Sequence, residues 1–105
     1  MEEMRCFIIE GSKKLIFRRE EMIYICFDPD ALEFYEINES GACILFLISK
    51  ELMYVQIVEI LQDWFEIEKR EAEEYIKGFM EIFPMKHIIM SNLIKIGVPQ
   101  ECLLK

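Results

Sequence analysis

Apolar and polar positions divide this chain into two halves that meet at residues 35–45. In Tyr35-Glu36-Ile37 a glutamate separates two apolar side chains, the alternation of a strand end. A polar break follows at Asn38-Glu39-Ser40, and residues 42–48 then carry no polar side chain except the Cys43 thiol. Asn38 or Ser40 can accept a hydrogen bond from one of the free N–H groups at a helix start. The pattern predicts a strand that turns through a cap into a buried helix.

Upstream, short apolar runs alternate with turn-like breaks. Cys6-Phe7-Ile8-Ile9 ends at Glu10-Gly11-Ser12, and Leu15-Ile16-Phe17 ends in the polar residues 18–21. Residues 22–27 are rich in β-branched and aromatic side chains and close at Asp28-Pro29-Asp30. Pro29 lacks the N–H a sheet ladder needs and suits a turn. Residues 31–37 form the last strand. Spacings this short suit an antiparallel meander of three strands, with residues 5–9 as a further candidate strand.

Downstream the period changes. Residues 41–48 are apolar on all sides, and the cap, Ala42 and the modest share of β-branched residues favour a helix. Tyr54, Ile57, Val58, Leu61, Trp64 and Phe65 then repeat at three- and four-residue steps, the stripe of an amphipathic helix. A second stripe runs through Ala72, Tyr75, Ile76, Phe79, Met80 and Phe83 until Pro84 stops it. Glu71, Glu73 and Glu74 sit near its positive N-terminal end. Met85, Ile89, Leu93 and Ile96 fit a short helix closed by Gly97 and Pro99, which either packs back on the core or serves a partner. The fold class expected is α+β and winged-helix-like: a three-stranded antiparallel sheet, residues 5–9 as a candidate fourth strand, then three helices and a short C-terminal extension. A chain of 105 residues is expected to form one domain.

Composition narrows the function. Twelve Lys and Arg against 20 Asp and Glu give a net charge of −8. A winged helix usually raises the question of DNA, but phosphate binding needs a dense basic face, and anionic membranes repel the same charge. Neither nucleic acid nor a membrane is therefore an expected partner. The opening Met1-Glu2-Glu3-Met4 is not the basic start of a signal peptide and no apolar run spans a bilayer, so the expected location is cytoplasmic.

The chemistry of catalysis finds few footholds. The cysteines at 6, 26, 43 and 102 lie far apart and His87 is the one histidine, so neither a zinc site nor a triad is expected. Glycines 11, 41, 78 and 97 never cluster into a phosphate loop. The carboxylates follow solvated helix faces, and nothing pairs two of them as acid and base. The expectation is a chain that is not an enzyme and carries no cofactor. Core packing is the preferred role for Trp64, Phe65, Tyr75 and Phe79. The glutamates of residues 66–74 read as a solvated helix start, with a patch for a basic partner as the sharper alternative. What such a layout offers is a strand edge, whose unpaired backbone groups can take an added peptide strand.

Several segments in order resemble the PqqD-like family. Residues 35–45, YEINESGACIL, look like its strand-Asn-x-Ser/Thr-(small)-x-x-Ile-Leu corner. Residues 55–61, VQIVEIL, resemble its V-x-x-I-V-x-x-L segment, and residues 71–79, EAEEYIKGF, resemble its third helix. Ile23-Tyr24-Ile25 and Asp28-Pro29-Asp30 match the preceding strand and turn. The likeness covers roughly residues 15–84 and leaves residues 1–14 and 85–105 as extensions. The chain departs from the family in having no Ser, Thr or Asp before the second helix, and in Phe83-Pro84-Met85 after the third.

The resemblance implies a RiPP recognition element: a non-catalytic peptide chaperone that binds the leader of a ribosomally made precursor peptide. It presents that leader to a peptide-modifying enzyme, often a radical S-adenosylmethionine enzyme. Carried over, the backbone of Ala31, Leu32, Glu33, Phe34, Tyr35, Glu36 and Ile37 would bond the leader strand. Leu32 and Phe34, or else Glu33 and Tyr35, would line the groove. Glu71, Glu74, Tyr75, Gly78 and Phe79 would face them from the third helix, with Gly78 leaving room for a bulky leader side chain. The terminal extensions would shape a homodimer or a surface for a particular enzyme. The rival readings are an accessory subunit of a larger enzyme without a peptide role, and a winged-helix DNA regulator.

Overall fold

A computed structural model describes residues 2–11 and 13–104. The chain is α+β, with a four-stranded antiparallel sheet followed by helices, as its patterning predicts. The strands β1 (Cys6–Glu10), β2 (Lys14–Glu20), β3 (Ile23–Asp28) and β4 (Glu33–Ile37) form a meander in the order β1-β2-β3-β4. The candidate strand at residues 5–9 is thus real and becomes one edge of the sheet; Ser12, in the expected break after it, lies outside the described residues. The helices are α1 (Glu39–Ser49), α2 (Tyr54–Phe65), α3 (Lys69–Ile82), α4 (Met90–Lys95) and α5 (Gln100–Leu103).

Two strand boundaries differ from the sequence reading, for local reasons. β2 runs on through Arg18, Arg19 and Glu20, which pair with Ile25, Tyr24 and Ile23, so the turn is Glu21-Met22 with Glu21 in the left-handed region at φ 53°. Polar side chains there mark a solvated strand end, not a break. β4 begins at Glu33, not Ala31. The Asp28 carboxylate accepts from the N–H groups of Asp30 (3.0 Å) and Ala31 (3.3 Å), and Leu32 takes φ 57°. That side-chain-closed turn consumes Ala31 and Leu32 before pairing starts.

The corner after β4 is capped by Asn38. Its Oδ1 accepts from the Gly41 N–H at 2.9 Å, while the Ser40 hydroxyl donates to the same oxygen at 3.2 Å. Residues 41–48 of α1 are buried throughout and lie against the inner face of the sheet. That face presents Phe7, Ile9, Leu15, Phe17, Tyr24, Cys26 and Ile37. Phe7 stacks on Phe17 with centroids 4.6 Å apart and meets Phe46 of α1 edge-on at 5.3 Å. Ile57, Val58 and Leu61 of α2 and Ala72, Ile76 and Met80 of α3 close the other side of this core. Trp64, expected to pack inside, is 38% exposed. Phe65, the next residue, takes the place against the core instead, and Tyr75, also expected inside, is 40% exposed.

The segment after Pro84 packs back on the core. Met85, Ile89, Leu93 and Ile96 are all buried, with Ile88, Val98 and Cys102 beside them. The Met85 sulfur lies 3.5 Å from the Cys26 thiol under the sheet. This tail also completes α2, which has no capping side chain at Met53. The Tyr54 N–H donates to the Ile96 carbonyl at 2.8 Å, and the Met53 N–H donates to Gln56 Oε1 at 2.9 Å. Two of the backbone groups that a helix start leaves free are met this way.

Candidate functional site

β4 is the second edge of the sheet. It pairs with β3 through Glu33↔Asp28, Phe34↔Phe27, Tyr35↔Cys26, Glu36↔Ile25 and Ile37↔Tyr24, and no strand among the described residues pairs with its other side. Alternate residues therefore turn an N–H and a C=O away from β3. The register also sorts the side chains. Tyr35 and Ile37 share the helix-facing side with buried Cys26 and Tyr24, whereas Phe34 and Glu36 share the opposite face with Phe27 and Ile25. Of the two alternatives read from sequence, the set with Glu33 and Tyr35 is the one directed to the helices.

The C-terminal end of α3 approaches this edge with one depression between them, and a second adjoins it beyond the Asn38 corner, between α3, Ser40 and Phe65. One, of about 170 Å³, is lined by Tyr35, Glu36, Ile37, Asn38, Phe79, Ile82, Phe83 and Pro84. The other, of about 340 Å³, brings together Asn38, Ser40, Phe65, Glu74, Tyr75, Gly78, Phe79 and Ile82. Asn38, Phe79 and Ile82 belong to both, so they form one groove. Its walls hold apolar surface open to water: Ile82 is 75% exposed, Tyr75 40% and Tyr35 39%.

The floor is set by the corner. Gly41 opens α1 so close to α3 that a Cβ there would lie 2.5 Å from Phe79 Cε1 and 2.9 Å from Ile37 Cγ2. Phe79 in turn stacks on Phe83 at 5.0 Å, and Phe65 meets the Tyr75 ring edge-on at 5.9 Å. The aromatic rings thus have defined positions. Gly78 is exposed and a Cβ added to it would meet nothing within 4 Å.

Of the residues carried over from the resemblance, Tyr35, Glu36, Ile37, Glu74, Tyr75, Gly78 and Phe79 line this groove. Glu33 lies at the start of the same strand. Phe34 points to the far face, Ala31 and Leu32 lie in the turn, and Glu71 is outside both depressions. The Glu71 carboxylate accepts from the Glu68 N–H at 3.1 Å and so closes the start of α3. Sequence reasoning did not assign Asn38, Ser40, Phe65, Ile82, Phe83 and Pro84 to the groove. A signal was present for Ile82. With Tyr75, Gly78 and Phe79 it makes a second helical stripe, offset from the buried Ala72, Ile76 and Met80.

The groove is weakly acidic: Glu74 lines it, no Lys or Arg does, and Glu36 reaches only its rim because its side chain belongs to the opposite face of β4. The thiols nearest the core are held protonated: burial, with Asp28 adding, pushes Cys26 up to about 12, and burial with Glu39 pushes Cys43 up to about 11. A buried neutral thiol is a poor nucleophile. Comparison of the chain with protein-family models, with curated proteins and with solved structures finds no match.

Proposed function

We propose that this chain is a peptide-binding chaperone whose ligand adds as a strand to the free edge of β4 and seats its side chains on α3. The observation that carries the reading is the juxtaposition of that unpaired edge with a water-exposed, largely apolar groove that continues from Tyr35–Ile37 onto α3, the third helix after it. An edge alone is a hazard that folded proteins usually shield. An edge beside a preformed groove offers backbone hydrogen bonds for affinity and side-chain pockets for choice.

Taken with the sequence resemblance, the ligand is the leader of a ribosomally made precursor peptide, and the chain presents it to a peptide-modifying enzyme of the radical S-adenosylmethionine type. Glu74 adds a preference for a leader with Lys or Arg next to its apolar anchors. Titrating the protein with leader peptides encoded beside its gene, and with a synthetic peptide alternating apolar residues with Lys and Thr, tests this. Saturable binding that Ile82→Glu and Tyr75→Ala each weaken at least about tenfold, or ~1.4 kcal/mol, supports it. Absence of binding to every such peptide overturns it.

A further inference from the structure

The sheet has a second apolar surface, on the face turned away from the helices. The register places Ile8 opposite Ile16, Ile16 opposite Phe27 and Phe27 opposite Phe34. These four residues form one row across all four strands. Ile23 and Ile25 flank it, so every outward position of β3 is apolar. The row is far from buried: Ile8 is 44% exposed and Phe34 66%. With Arg18 and Glu20, residues Ile16, Ile25, Phe27 and Phe34 shape a shallow concavity of about 600 Å³. A sheet with one solvated face ordinarily alternates apolar inward and polar outward. This one is apolar on both sides of β3, the mark of an interaction surface.

Charge indicates the occupant. The chain carries −8, yet the outward positions of the sheet hold Lys14 and Arg18 against Glu10, Glu20 and Glu36, a difference of two against three. Two acidic copies meet little repulsion on this face, whereas a basic partner would be drawn first to the acidic helices. Both signs on one surface also make it complementary to itself. A twofold axis along the strands lays Ile16 on Phe27 and Ile8 on Phe34 of the other copy. It also brings Arg18, which is ion-paired with Glu20 on its own strand, beside that copy's Glu36.

We propose that this face is the interface of a homodimer, two sheets packed face to face at about 10 Å. The contact is isologous and leaves both grooves by α3 open on the outside, so each dimer offers two peptide edges. It stands whether or not the groove binds a peptide.

Light scattering coupled to gel filtration, over loading concentrations from 1 to about 500 µM, decides it. The full chain is expected at about 25 kDa, twice its 12.6 kDa. Ile8→Glu, at an exposed position of the far edge strand, should elute as a monomer at the same concentrations with an unchanged circular dichroism spectrum. Arg18→Glu should shift the transition at least tenfold upward in concentration, and Glu36→Arg added to it should restore the dimer. A wild-type chain that stays near 12.6 kDa throughout overturns the proposal, as does a dimer that Ile8→Glu leaves intact.

Discussion

Gly41 and Phe79 define the distance between the corner of the chain and its third helix. The glycine's missing side chain is the space the phenylalanine ring occupies, since a Cβ would approach Cε1 to 2.5 Å. Gly41→Ala should therefore push the Phe79 ring off Phe83 and into the groove. The expected cost is about 1–3 kcal/mol, as for other overpacked sites, read as a lower urea midpoint at unchanged slope. Peptide affinity should fall with it.

Gly78 makes the opposite case. It is exposed on α3 and its neighbourhood is open. Gly78→Ala should raise stability by about 0.5–1 kcal/mol through helix propensity alone. Gly78→Trp, at the same open position, should fold and yet occupy the groove. A Trp variant that unfolds like wild type but no longer binds peptide would separate the two effects.

Removing the Asn38 side chain should cost about 0.5–2 kcal/mol, because the Gly41 N–H loses its acceptor at the start of a buried helix. Asn38→Asp keeps an acceptor at that position and should retain most of the stability. Equal losses for Asn38→Ala and Asn38→Asp would contradict the capping role.

Alkaline pH should unfold the protein. Cys26 and Cys43 rise from 9.0 to about 12 and about 11, and Tyr54 from 10.0 to about 12, each chiefly because burial penalises the charged form. The unfolded chain then releases these protons at lower pH than the native one. Their contribution is complete below about pH 9 and is lost as pH rises from 9 towards 12. Midpoints of urea unfolding should fall over that interval, and Cys43→Ala should flatten the lower part of the decline.

Charge at the groove should be legible in ligand choice. Glu74→Lys should weaken a Lys-bearing peptide several-fold and strengthen its Glu-bearing counterpart, both effects fading with added salt. Isothermal titration at two salt concentrations distinguishes this from simple loss of packing.

Much of this architecture was legible in the sequence, because each element has a strong period. The stripes of α2 and α3, the capped corner and the meander follow from side-chain spacing. Their boundaries failed where a side chain did a backbone's task, as at Asp28, whose carboxylate closes the turn that takes Ala31 and Leu32 out of β4. The groove was half legible. Tyr35, Tyr75, Gly78 and Phe79 fall into place once the strand register is known, but period two alone cannot say which face of a short, doubly apolar strand turns inward. The outer row of Ile8, Ile16, Phe27 and Phe34 was hidden for a related reason. A row across strands is a property of pairing, and no stretch of sequence spells it out. The tail was ambiguous because its apolar residues served either alternative, and only the contacts of Met85 and Ile96 resolve it.

The central claim is that a peptide pairs with the free edge of β4. Amide hydrogen exchange of the isotopically labelled protein, alone and saturated with leader or synthetic peptide, reads that edge residue by residue. The outward-facing amides among residues 33–37 should slow by at least about tenfold on binding, a stabilisation of ~1.4 kcal/mol. Blocking alternate peptide N–H groups by methylation should remove the effect. If the peptide saturates the protein and those amides exchange as fast as before, the ligand does not add to β4 and the account is wrong.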